Sequence, residues 1–233
     1  MAAWVAGTVA MGAGWDWGIL LIAYFVVSTL LSRFRRKDKL TRAQGRTEKP
    51  GARDAAQVAS NGGWFVLAAL CHWISPQAAW QCVGAGALAA SAADTWATEI
   101  GSLARALPRS IVTGRPVPVG TSGGVTLAGT VAGVAGGFFV ALLVVAFGWP
   151  SVTFAAAAAG GVVGSLVDSV LGATVQARFW CASCGVETER RLHDCATSTT
   201  FRGGLRWLNN DGVNAIATAA GGAVGAAFAL GAG

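Results

Sequence analysis

The chain has 233 residues, of which 54% are hydrophobic and only 12% charged, against about 25% charged in an ordinary soluble domain. So few charges cannot cover a soluble fold of this length, and disorder is excluded because disordered chains are polar and highly charged. Thirty-three glycines in so apolar a chain of net charge +6 point to a polytopic membrane protein, where glycine is tolerated inside helices.

A hydrocarbon core of about 30 Å needs about 20 apolar residues as helix. Met1–Ala13 is apolar but too short to cross and reads as a short N-terminal apolar helix. No basic residue precedes it, so a signal peptide is not expected. Spans follow at Trp15–Ser32, Ala55–Ser75, Ala78–Ala104, Ser122–Gly148 and Ser151–Ala177, with a sixth from Asp211 to Leu230. Pro50, Pro76, Pro108, Pro116, Pro118 and Pro150 all fall between spans, as helix-breaking residues should. The predicted fold is an all-α polytopic membrane protein of about six transmembrane helices forming one integral membrane domain.

The basic residues divide sharply. Residues 33–54 form a basic loop with nine Lys/Arg. The next loop carries Arg105, Arg109 and Arg115, and residues 178–210, between the last two spans, carry Arg178, Arg190, Arg191, Arg202 and Arg206. These account for all 17, while the connections near Ser75–Gln77 and Gly148–Ser151 carry none. Alternating spans place the three basic loops on one side, and the positive-inside rule makes that side cytoplasmic in a cell-membrane protein. The basic run fits lipid headgroups, and without interleaved aromatics it does not suggest nucleic acid.

Acidic residues inside spans are costly and by default mark function. With this topology, Asp94 and Glu99 lie in the inner half of the third span, Asp168 in the inner third of the fifth, and Asp211 opens the last beside Asn210 and Asn214. Asn61 sits in the first turns of the second span, and Asp16 is alone at the far end, where water is expected to satisfy it. Carboxylate and amide oxygens converging from several spans suit Mg²⁺. The alternatives are separate pairing of each acid with an arginine, or, for Asp211, a helix N-cap.

Gly120, Thr121, Ser122, Gly123 and Gly124 form a glycine-rich turn directly before a predicted span. Such a turn can present backbone N–H groups and a positive dipole end to an anion, although Gly-Gly also merely starts helices. With Arg109 and Arg115 nearby it reads as phosphate binding; lacking a Walker lysine, it is not a P-loop. Cys181 and Cys184, then His193 and Cys195, form a CxxC…HxC set suited to structural Zn²⁺ rather than disulfides on the cytoplasmic side; free cysteines in a loop are the alternative.

Ala93–Gly101 (ADTWATEIG), Pro118–Val125 (PVGTSGGV), Ser165–Ala173 (SLVDSVLGA) and Asn209–Asn214 (NNDGVN) resemble the domain-of-unknown-function 92 family, over nearly the whole chain from about Trp15. That family includes phytyl-phosphate kinases of plants and cyanobacteria, and the CxxC…HxC insert resembles that of many bacterial members. The resemblance implies a CTP-dependent kinase that turns an isoprenyl monophosphate into the diphosphate. It implies metal or active-site roles for Asp94, Glu99, Asp168 and Asp211, phosphate contacts at Gly120–Gly124, and a pocket completed by Asn61, Asn210 and Asn214. Two other functions fit intramembrane acids or a zinc loop: a transporter or flippase of an anionic lipid or cation, and a membrane scaffold.

Overall fold

The computed structural model describes residues 2–43, 45–46 and 54–231; Lys49, Pro50 and Arg53 of the basic loop lie outside them. The short apolar segment is helix α1 (Ala2–Ala13). The expected spans are occupied by α2 (Trp15–Arg33), α4 (Ala55–Ile74), α5 (Ala78–Gly101), α6 (Leu127–Ala146), α7 (Val152–Thr174) and α8 (Asn210–Gly231). An additional short helix, α3 (Arg36–Ala43), forms within the basic loop.

Four of these helices, α2, α6, α7 and α8, are long and apolar enough to cross a membrane by length and composition. Helices α4 and α5, with 20 and 24 residues, are as long but less apolar. For α5 the reason is position. It is surrounded by α4, α6, α7 and α8, and Gly84 through Ala93 are all buried. A helix facing other helices needs small side chains for close approach rather than lipid-soluble ones. Added Cβ atoms show how close. One on Gly86 would lie 2.2 Å from Gly221 O, and one on Gly160 would lie 2.8 Å from Gly86 Cα.

The two ends of the bundle differ. At one end Trp17 packs against Phe65, His72 and Trp149, with ring centroids 4.7–5.2 Å apart. Asp16 lies here but is not left to water: its Oδ2 accepts a 2.5 Å hydrogen bond from Trp149 Nε1. The other end gathers the basic segments. Lys39 of α3 reaches Glu99 of α5, Arg42 Nη2 donates to Ala104 O, and Arg46 O accepts from Glu189 N.

This second end corrects the all-α expectation. Strands β1 (Arg109–Ser110) and β2 (Gly124–Val125) pair antiparallel. The Cys/His segment forms a three-stranded antiparallel sheet, with β3 (Arg178–Cys181) between β4 (Val186–Thr188) and β5 (Thr200–Gly203). The physical reason is alternation: Phe179 and Cys181 turn inward while Arg178 and Trp180 are half-buried, a period of two that a helix cannot use. The fourth span also starts later than expected. Residues 122–126 are turn and strand, and Thr126 caps α6 by accepting from Gly129 N at 3.0 Å.

Candidate functional site

Helix registry builds the site. Gly86 meets Gly160 and Ala90 meets Gly164, so α5 and α7 run parallel with matched four-residue steps. One further step brings Asp94 opposite Asp168, and the two side chains come within hydrogen-bonding reach. Asp168 Oδ2 is buried and receives no hydrogen bond from any described donor. Ionised carboxylates only accept, so two facing one another require a shared proton or a cation. This is a donor set that a hard cation such as Mg²⁺ fits.

Glu189, which the spacing of the spans did not bring into the site, joins this pair. It follows β4 and is placed by contacts to the turn after α3: Thr188 Oγ1 donates to Gly45 O at 2.8 Å, and Glu189 N to Arg46 O at 3.0 Å. Its carboxylate accepts from Ser122 Oγ and acts electrostatically on Asp168. The signal available in sequence was only an acid inside the Cys/His segment.

Helix α8 closes the level from the other side. Gly164 approaches both Ala90 and Ala217, and α8 runs antiparallel to α5, so one turn nearer the basic end Asn214 stands level with Asp94 and Asp168. Asp211 and Asn214 are both buried. The cap position is filled by Asn209, whose Oδ1 accepts from Gly212 N at 3.0 Å, so Asp211 is not the N-cap. Asn210 starts the helix beside it.

Glu99, Asn61, Arg109 and Arg115 are engaged elsewhere, whereas the glycine turn packs on α7 at Ser169 and Ala173, just past Asp168. Glu99 accepts from Lys39 Nζ at 2.5 Å and Ser32 Oγ at 2.6 Å, and Lys39 also donates to Leu31 O at 2.6 Å. These bonds staple α3 and the end of α2 onto α5. Asn61 Nδ2 donates to Gln57 O, and its Oδ1 accepts from Ser91 Oγ, which contacts Tyr24 Oη at 2.7 Å. That chain of polar contacts joins α2, α4 and α5. In the glycine turn, Gly120 and Gly123 adopt φ of 85° and 70°. A Cβ on Gly123 would lie 2.5 Å from Ala173 Cβ, and one on Gly120 3.0 Å from Ala43 Cβ. The turn is thus wedged between α3 and α7 and leads into β2, not directly into a helix. Thr121 and Gly124 are half-buried, and Ser122 is the member that reaches an acid. Arg109 and Arg115 are exposed on the β1–β2 hairpin, where Arg109 Nη1 donates to Gly114 O.

A second donor cluster lies in the sheet. The ligand atoms of Cys181, Cys184, His193 and Cys195 are within 4.8 Å of one another, with Cys181 Sγ and Cys195 Sγ 3.5 Å apart. Tetrahedral zinc with bonds of about 2.3 Å to sulfur needs edges of this order. Hydrogen bonds from Thr197 and His193 hold the Cys195 thiol down to about 6. Contact with Cys195 and Cys181, together with partial desolvation, pushes Cys184 up to about 11. Cys195 therefore offers a thiolate near neutral pH.

No solved structure matches this fold. Protein PGR of Arabidopsis thaliana is 30% identical over 93% of this chain and 82% of its own length. An uncharacterized membrane protein of Methanocaldococcus jannaschii is 31% identical over 91% of this chain and 76% of its own. Protein VTE6, chloroplastic, of Arabidopsis thaliana is 29% identical over 92% of this chain and 59% of its own. A family model described as integral membrane protein DUF92 matches residues 1–222. With nearly the whole length matched, the chain belongs to the DUF92 integral membrane family and is embedded in the membrane.

Proposed function

We propose that this protein is a CTP-dependent kinase that converts an isoprenyl monophosphate to the diphosphate at the cytoplasmic face of the cell membrane. In this reading all six long helices span the bilayer, and the end bearing the basic segments faces the cytoplasm. The observation that carries it is the Asp94–Asp168 pair, two facing carboxylates inside a membrane bundle, with Glu189 beside them. The nucleotide and the substrate class come from the family resemblance.

Asp94 and Asp168, with Asp211 and Glu189, would hold Mg²⁺, which would supply charge neutralisation for the phosphate oxygens. The acceptor phosphate is largely ionised at neutral pH, its second pKa being about 6, so no protein base is needed. Its oxygen attacks the terminal phosphorus of the nucleotide, the bond to the bridging oxygen breaks, and the nucleoside diphosphate leaves. Burial of Asp211 and Asn214 between α8 and its neighbours keeps these groups in place during the transfer. Glu99 tethers α3, and Cys181, Cys184, His193 and Cys195 hold a structural Zn²⁺ that orders the sheet.

The test uses purified protein in detergent with Mg²⁺, radiolabelled CTP, and phytyl- or geranylgeranyl-phosphate. Diphosphate is expected from the wild type and is lost in Asp94→Asn and Asp168→Asn. Absence of diphosphate from every prenyl phosphate offered overturns the proposal.

A further inference from the structure

A cleft of about 450 Å³ opens between the Cys/His sheet and the start of α8. Its walls include Phe179, Glu189, Arg191, Arg206, Trp207 and Asn209. The two arginines are held without carboxylates. Arg191 Cζ lies 5.9 Å from the Phe179 ring centroid, and Arg206 Cζ lies 4.5 Å from that of Phe201. Arg191 Nη2 also donates to Arg206 O at 3.3 Å. Among the described residues neither has an ion-pair partner, whereas neighbouring Arg190 is paired with Asp194. A guanidinium stacked on a ring is fixed in orientation and keeps its N–H edges free for phosphate. Trp207, 72% exposed, adds a planar apolar wall.

Glu189 belongs to two places at once. It lines the cleft, and it is the acid that meets Ser122 and acts on Asp168. The cleft therefore brings an aromatic wall and two arginines without described ion-pair partners together with Glu189, one member of the carboxylate cluster. That sequence of chemistries matches a ring, a phosphate chain and a metal-bound terminal phosphate. A lipid headgroup would share the arginine contacts, and an exposed tryptophan also suits the headgroup level, so a lipid arm is part of the test.

We infer that this cleft binds the nucleoside triphosphate, with Trp207 against the base and Arg191 and Arg206 on the inner phosphates. The inference rests on the kinase reading, and it moves the nucleotide from the glycine turn and the β1–β2 hairpin to the sheet–α8 cleft. It also gives the Cys/His sheet a task, since the sheet forms one wall.

The test measures Mg–CTP binding to the full-length protein in lipid-free detergent micelles by titration calorimetry. Arg191→Gln, Arg206→Gln and Trp207→Ala are each expected to weaken binding tenfold or more. Trp207→Phe, which keeps a ring, should recover most of the affinity and guards against misfolding. Arg202→Gln is the charge control, because Arg202 stacks on Trp180 of the same sheet at 4.9 Å and does not line the cleft. In turnover, the cleft variants should raise the KM for CTP far more than they lower kcat. A second arm measures binding of short-chain phosphatidic acid in the same micelles. If the arginine variants lose phosphatidic-acid binding but keep CTP affinity, the cleft is a headgroup site and the inference falls. Wild-type turnover with an unchanged KM in the cleft variants also overturns it, leaving the kinase reading intact. CTP binding lost in the variants, with no diphosphate formed from any prenyl phosphate, overturns the kinase reading and leaves the cleft assignment standing.

Discussion

Gly86→Ala tests whether helix registry builds the site. A Cβ at this position would sit 2.2 Å from Gly221 O and 3.0 Å from Gly221 C, where ordinary contact begins near 3.4 Å. Both obstructing atoms are backbone, so no rotamer relieves the overlap, and α8 must move about 1 Å from α5. Overpacking of this kind costs about 1–3 kcal/mol. The better helix propensity of alanine returns at most about 1 kcal/mol. The expected net effect is a loss of up to about 2 kcal/mol by these two magnitudes. Gly63→Ala is the control, since nothing lies within 4 Å of its Cβ and only the propensity gain remains. Thermal unfolding in detergent should place Gly63→Ala at or above wild type and Gly86→Ala below it. Gly86 lies two helical turns from Asp94, so the displacement should also weaken Mn²⁺ binding, read by electron paramagnetic resonance. Equal stability of the two variants would refute the reasoning, because close backbone approach would then not be what holds α5 and α8 together.

Asp168→Asn removes one of two facing carboxylates, so transfer should vanish while thermal stability is kept or raised by relief of like-charge repulsion. Glu99→Gln should do the reverse: it leaves buried Lys39 without its counter-ion, lowering stability by about 1–3 kcal/mol with turnover largely retained. In Lys39→Met/Glu99→Leu much of that loss should return, as both charges then go together. Chelation of the sheet metal should release zinc, measured by emission spectroscopy, and expose residues 178–210 to limited proteolysis.

The membrane architecture was legible because it depends on local composition. Apolar runs, proline punctuation and the clustering of all 17 basic residues into three segments located six helices and put the charged connections at one end. The convergence of Asp94 and Asp168 was legible for the same reason, since depth in a span follows from position along it. The finer registry was present as well, in small residues one and two turns before each acid: Gly86 and Ala90 before Asp94, Gly160 and Gly164 before Asp168. Elements set by cross-chain contacts were hidden. The three-stranded sheet depends on pairing β3 with β5, about twenty residues apart, and α3 is stabilised by Lys39 and Arg42 reaching α5 and the loop after it.

Glu189 shows why a site in this fold cannot be read from its spans alone. Its position is the product of the β3–β4 pairing, the cysteine turn at its tip, and backbone bonds to Gly45 and Arg46. Of these, only the cysteine turn leaves a mark in spacing. Yet each is a connection between a membrane-surface segment and the buried acids, so the parts form one load path. The basic loop positions the sheet, the sheet carries Glu189, and Glu189 joins Ser122 and Asp168 across the mouth of the bundle. A carboxylate pair that only accepts hydrogen bonds is stable in a membrane protein when a cation or proton sits with it. The buried helices set the depth and spacing of the acids, and the surface segments bring Glu189 and Ser122 beside them.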